Sequence, residues 1–162
     1  MPAWVMATSH SIELTQATTA PPAAVWDVIT DLDAAPDVLS GVDRVERIEG
    51  PGYAVGTRWR ETRTMMGKSA SEEMVVTAVE PTSRTVVEAD GGGVHYRSEF
   101  ELVPDGSGTT IVFRFSGEQV GTPSVVQRLV WRAFGGLGLK LTSKVMRTDL
   151  ADIAAAAEAR TV

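Results

Sequence analysis

RTVVEAD GGG VHYRSEFELV PDGSG TTIVFRFSGE, residues 84–118, decides how this chain folds. It holds three runs of alternating character separated by two clusters of turn residues. In Val94–Val103, Tyr96, Ser98, Phe100 and Leu102 fall on one side, and His95, Arg97, Glu99 and Glu101 on the other. In Thr109–Glu118, Ile111, Phe113 and Phe115 share a side. A period of two is the mark of a strand with one buried face. Gly91-Gly92-Gly93 and Pro104-Asp105-Gly106-Ser107-Gly108 supply the backbone freedom and turn-forming side chains that reverse a chain between paired strands. Upstream the pattern repeats. Thr57–Met66 and Lys68–Glu80 meet at Gly67, and Pro81-Thr82-Ser83 leads into Arg84–Asp90. The middle of the chain therefore reads as an antiparallel meander.

The flanks read differently. Ser11–Thr18 alternates and predicts a first strand. Pro21-Pro22 suits the first turn of a helix, where a missing N–H costs nothing, and Val25, Trp26, Val28 and Ile29 follow at helical spacing. Asp31–Leu39 predicts a second short helix or turn, limited by Pro36. Val42, Val45 and Ile48 open another segment, which Gly50-Pro51-Gly52 ends. Near the C-terminus, Thr122 and Pro123 offer a helix start, and Val126, Leu129, Val130 and Ala133 make an apolar stripe. Gly135, Gly136 and Gly138 predict a kink or break, leaving Thr122–Phe134 as a mobile lid. A long helix over 136–159 then presents Leu139, Met146, Leu150, Ile153 and Ala157 on one face. One strand, two short helices, six strands and a long helix argue for an α+β fold, not a parallel βαβ one.

Length and composition narrow the function. A chain of 162 residues, 43% hydrophobic and 22% charged, predicts a single domain over 1–162 with an ordered core of about 11–159. Without cysteine there is no disulfide, thiolate nucleophile or zinc ribbon, and two separated histidines do not make a metal site. No metal and no cofactor are expected. P-loop, dinucleotide fingerprint, nucleophile elbow and H-E-x-x-H motifs are all missing. A net charge of −6 argues against a nucleic-acid partner. Residues 120–162 nevertheless carry six basic and three acidic side chains, with Arg128, Arg132, Lys140, Lys144 and Arg147 in a stretch without acids. A solvated helix face is the plain reading of this 128–147 region, and contact with an anionic membrane surface is the rival. With neither a signal peptide nor a convincing transmembrane run, a cytoplasmic protein is expected, monomeric or homodimeric.

Three stretches carry a family resemblance. They are Ala20-Pro21-Pro22-Ala23-Ala24-Val25-Trp26-Asp27-Val28-Ile29-Thr30-Asp31, then Val55-Gly56-Thr57-Arg58-Trp59-Arg60-Glu61 followed by Gly67 and Glu72-Glu73, then Val76-Thr77-Ala78-Val79-Glu80-Pro81. With the order of elements, they resemble the START-like or SRPBCC superfamily (helix-grip, Bet v 1-like), in its polyketide cyclase/dehydrase-like branch, over roughly Ser11–Ala159. The resemblance implies a curved antiparallel sheet of about seven strands wrapped around a long C-terminal helix, with two short helices after the first strand. It also implies a cavity between sheet and helix that takes apolar small molecules. Members of this superfamily include binders, carriers, cyclases, aromatases and dehydratases, with no shared catalytic motif to transfer. Where the family often has an aromatic residue after the proline of the second short helix, this chain has Asp37-Val38-Leu39.

Strand parity selects the cavity wall. The expected ligand-binding residues are Trp59, Glu61, Arg63, Met65, Glu72, Met74, Tyr96, Ser98, Phe100, Phe113 and Phe115, with Trp131 and Phe134 from the lid. Lys68–Glu80 is ambiguous, because Met74 and Val76 oppose Val75 and Val79; Glu72, Met74 and Val76 are taken as inward. Two charges on the otherwise apolar face of Trp59 and Met65 need a reason. Glu61 and Arg63 are expected to pair with each other, to pair across strands with Glu72 or Tyr96, or to sit at a wet mouth, and to orient a ligand. The expected function is binding of a hydrophobic small molecule such as a lipid or polyketide. The alternatives are a cyclase, aromatase or dehydratase using Glu61, Arg63 and Tyr96, and a membrane-associated lipid or quinone chaperone.

Overall fold

The computed structural model describes residues 10–162 apart from 66, 92 and 122–124, and only the backbone of residues 126–139. Seven strands form one antiparallel sheet: β1 (His10–Thr18), β2 (Val42–Glu49), β3 (Arg58–Met65), β4 (Lys68–Glu80), β5 (Arg84–Gly91), β6 (Val94–Asp105) and β7 (Gly108–Gln119). Their order is β1-β7-β6-β5-β4-β3-β2, so the two strands that the short helices separate in sequence become the two edges. Those helices are α1 (Pro22–Thr30), with Pro22 at its first turn, and α2 (Ala35–Val38). Asp31 lies between them and accepts the Ala34 N–H at 3.3 Å. The long helix α3 (Val125–Ala159) lies against the concave side of the sheet.

Parity on β3, β6 and β7 follows the alternation. Cross-strand partners Phe100 and Phe113, Leu102 and Ile111, and Leu14 and Phe113 face one another on the concave side. The ambiguity of β4 has a physical answer. Its register against β5 shifts between Val76 and Ala78, leaving Thr77 as the extra residue of a bulge. The bulge flips the parity, so Met74 and Val76 before it and Val79 after it all reach the same apolar cluster around Trp59.

α3 corrects the expected break. It runs as one 35-residue helix through Gly135, Gly136 and Gly138. Each glycine costs a helix only about 1 kcal/mol, and neighbours such as Leu137, Leu139 and Leu141 favour the helix. The expected cap at Thr122 and Pro123, and the side chains of Arg128, Trp131, Arg132, Phe134 and Leu139, lie outside the described residues. Met146, Leu150, Ile153 and Ala157 pack inward as their spacing predicts, joined by the buried Ala154. Lys140, Lys144 and Arg147 are exposed. Among the described residues no helix is long and apolar enough to cross a membrane.

The convex side is charged but not simply solvated. Glu99 lies on this side, as its parity predicts, yet is only 8% exposed. Arg84 and Arg97 each donate to its Oε2 at 2.9 Å and Arg114 to its Oε1 at 2.8 Å. Arg114 also binds Glu13 and Glu101. Burial works against the Glu99 charge, but the three arginines outweigh it and hold its carboxyl below the usual range. His95, on the same side, bridges Glu88 and Asp90 and lies away from the cavity.

Leu150 is 2% exposed at the centre of the larger apolar cluster. Leu150→Ala is expected to lower stability by about 2–5 kcal/mol in a denaturant titration; a loss below about half a kcal/mol would place the helix seam elsewhere.

Candidate functional site

Sheet and α3 do not meet along their whole length. Between them, roofed by α1 and α2, lies a cavity of about 390 Å³. The strands supply Trp59, Glu61, Arg63, Met65, Glu72, Met74, Tyr96, Ser98, Phe100, Phe113 and Phe115 to its wall, every strand residue expected there as a ligand contact. Trp131 and Phe134, the two expected from the lid, lie outside the described side chains. Sequence reasoning missed the contributions of the other elements: Val28, Ile29 and Leu32, Val38 and Leu39, Tyr53, and Thr142, Val145, Met146, Asp149 and Ile153 of α3. The Val38 and Leu39 positions show what the missing aromatic residue of α2 leaves behind, an aliphatic wall.

The wall has two characters. Phe100 and Phe113 pack with ring centroids 4.7 Å apart, and Tyr96 stacks on Phe115 at 5.7 Å. Tyr53 donates or accepts a 2.8 Å hydrogen bond with Thr85, and burial lifts its phenol to about 12.

The polar character gathers around Arg63. Its Nε donates to Glu61 Oε1 at 2.6 Å, so the two charges of β3 pair as expected. The rest of the network leaves no local signal in the sequence. Arg63 Nη1 and Nη2 donate to the two carboxylate oxygens of Asp149 at 3.2 and 2.8 Å, a bidentate bridge from sheet to helix. Gly41 makes room for it: a side chain there would begin 3.1 Å from Arg63 Nη1. Trp59 Nε1 lies 3.5 Å from Glu61 Oε2. Burial opposes the Arg63 charge, but Asp149 and then Glu61 outweigh it and hold the guanidinium above its ordinary value. Burial lifts the Asp149 carboxyl, with Arg63 holding it back. Nothing in the sequence ties Asp149 to Arg63, because the pair joins elements 86 residues apart.

Glu72 is the contrast. In the β3–β4 register it stands directly opposite Glu61. Yet neither Arg63 nor Tyr96 hydrogen-bonds to it, nor does any other described residue. Burial and then the Glu61 charge raise its carboxyl above the ordinary value, against a weaker pull from Arg63. Burial and then Glu72 likewise raise Tyr96. No group of three or more His, Asp or Glu that could hold a metal ion occurs among the described residues.

With the geometry in view, residues 9–158 match the model of a family described as polyketide cyclase / dehydrase and lipid transport. The chain belongs to this family. Solved structures share the fold at low sequence identity. A protein of Thermus thermophilus aligns with a TM-score of 0.78 and 19% identity over 94% of this chain and all of its own. An aromatase/cyclase from a Streptomyces species aligns with a TM-score of 0.75 and 16% identity over 95% of this chain and 96% of its own. Norcoclaurine synthase of Thalictrum flavum aligns with a TM-score of 0.70 and 18% identity over 94% of this chain and 95% of its own. No curated protein matches the sequence. The helix-grip architecture is thus that of the family.

Two outcomes follow from the charges of this family member's cavity. Arg63→Met strands two largely buried carboxylates and is expected to lower stability by about 3–5 kcal/mol, read by denaturant titration. Glu72 behaves oppositely. Its folded-state pKa lies above the unfolded one, so its destabilising effect is absent below the unfolded carboxylate pKa and appears as pH rises through the folded value. Glu72→Gln is therefore expected to raise the melting temperature at neutral pH, with the gain disappearing as pH falls below the carboxylate range.

Proposed function

We propose that the chain binds a largely apolar small molecule between sheet and α3, with the strand residues named above as its contacts and the Glu61–Arg63–Asp149 network beside its polar end. The observation that carries this reading is the cavity itself. About 390 Å³ of space with aromatic and aliphatic walls and one confined charged cluster is the arrangement by which proteins take small ligands. A charged cluster fixed by bidentate geometry is already oriented before a ligand arrives, so little ordering cost attaches to binding. The family description joins cyclisation, dehydration and lipid transport, all of which handle apolar molecules.

A second reading, polyketide cyclisation or dehydration, draws support from the aromatase/cyclase neighbour and from ionisable groups at the cavity wall. In it Tyr96 and Glu72 exchange protons with an enolisable carbon chain, while Arg63 stabilises the developing enolate oxygen. Native mass spectrometry of freshly purified protein, searched for a co-purified apolar molecule, tests binding. Turnover of a poly-β-ketone mimic separates the second reading from the first.

Ser98 is a small residue between larger neighbours on the wall. Ser98→Phe is expected to fill the space and weaken binding of naphthalenemethanol, followed by fluorescence, by at least about tenfold without lowering the melting temperature. Unchanged affinity would place binding outside the cavity.

A further inference from the structure

We propose that the cavity prefers, among apolar molecules of its size, those whose polar end is a protonated amine, and that Glu72 sets the preference. This rests on the cavity being a ligand-binding site. It names the ligand's polar group.

The first ground is the strand register. Glu61 and Glu72 are directly opposed on neighbouring strands, with both side chains on the cavity side. Like charges in that position destabilise a sheet. The structure resolves the conflict for one of them only. Glu61 has Arg63 at 2.6 Å, whereas Glu72 has no hydrogen-bond partner among the described residues.

The second ground is the charge balance. Of the described charged side chains on the wall, Arg63 is the one cation, against Asp31, Glu61, Glu72 and Asp149. Asp31 has Arg160 3.6 Å away. Arg63 is engaged twice, by Glu61 and by both oxygens of Asp149. Among the described residues Glu72, at an exposed position of β4 that borders the cavity, is left without a paired cation. A carboxylate or phosphate head entering there is repelled, and an ammonium is attracted.

The third ground is what lies beside Glu72. A point in space one carbon out from Gly91 is 3.8 Å from Glu72 Oε1 and 3.8 Å from Tyr96 Cε2. The Glu72 carboxylate and an aromatic ring therefore border the same spot, and the ring is held by its stack on Phe115. A carboxylate beside an aromatic ring suits an alkylammonium, the charge pairing with the carboxylate while the apolar body packs against the ring.

The test uses three probes with one apolar body, naphthalenemethylamine, naphthalenemethanol and naphthoate, titrated into the intact protein at neutral pH. The amine is expected to bind at least about tenfold more tightly than the alcohol, and naphthoate more weakly than the alcohol. Glu72→Gln keeps the shape and breaks no observed hydrogen bond. Measured within that variant, the amine should bind no more tightly than the alcohol. Alcohol binding without an amine preference overturns the proposal and leaves the ligand-binding reading standing. So does a preference that survives Glu72→Gln, whereas binding and preference that both survive Ser98→Phe place the site outside the cavity and overturn both readings. If none of the three probes binds, the ligand-binding reading falls and the preference falls with it.

Discussion

A helix laid into a curved sheet fills the concavity only where its side chains are short enough to let it approach. Ala157, beside Leu150 and Ile153, gives α3 such a seam, closest to β1 and α1. Where that seam ends, the gap is held by polar ties instead. The three acids of residues 120–162 are all spent on them. Glu158 accepts from Thr18 and Thr19, Asp152 from Ser40, and Asp149 from Arg63. The last of these spans the cavity, so the strut that keeps helix and sheet at their separation is also part of the wall that a ligand would meet.

The two sides of the sheet treat carboxylates in opposite ways. On the convex side Glu99 gathers three arginines and its charge is stabilised although it is buried. On the concave side Glu72 is more accessible and has no arginine hydrogen-bonded to it among the described residues. Ordinary folding pressure explains the first arrangement. The second lowers stability, which is how functional sites commonly depart from the logic of the surrounding structure.

Much of this was legible in the sequence, for reasons that differ by element. Strand alternation is strictly local, so Tyr96, Ser98 and Phe100, or Trp59 and Arg63, could be assigned to the inner face without knowing their neighbours. The same locality set the limit. Asp149 follows a basic run on its own helix, yet its role is fixed by an arginine on a strand far away in the chain. Thr77 carries no turn signal, so the parity change in β4 became visible only in its register with β5. Each of the three glycines of α3 is locally a helix breaker, whereas the helix-favouring residues around them carry the helix through.

The bulge at Thr77 has an evolutionary reading. Val76 and Val79 face the same way because one residue is surplus between them. Removing that residue would leave them two apart, the spacing at which a regular strand also points both inward. The length of β4 is thus free to vary by one at this point while its inner face stays in phase. A single-residue insertion or deletion elsewhere in the strand would turn the downstream side chains over. Lineages of this fold can lengthen or shorten the strand at Thr77 and keep the same wall.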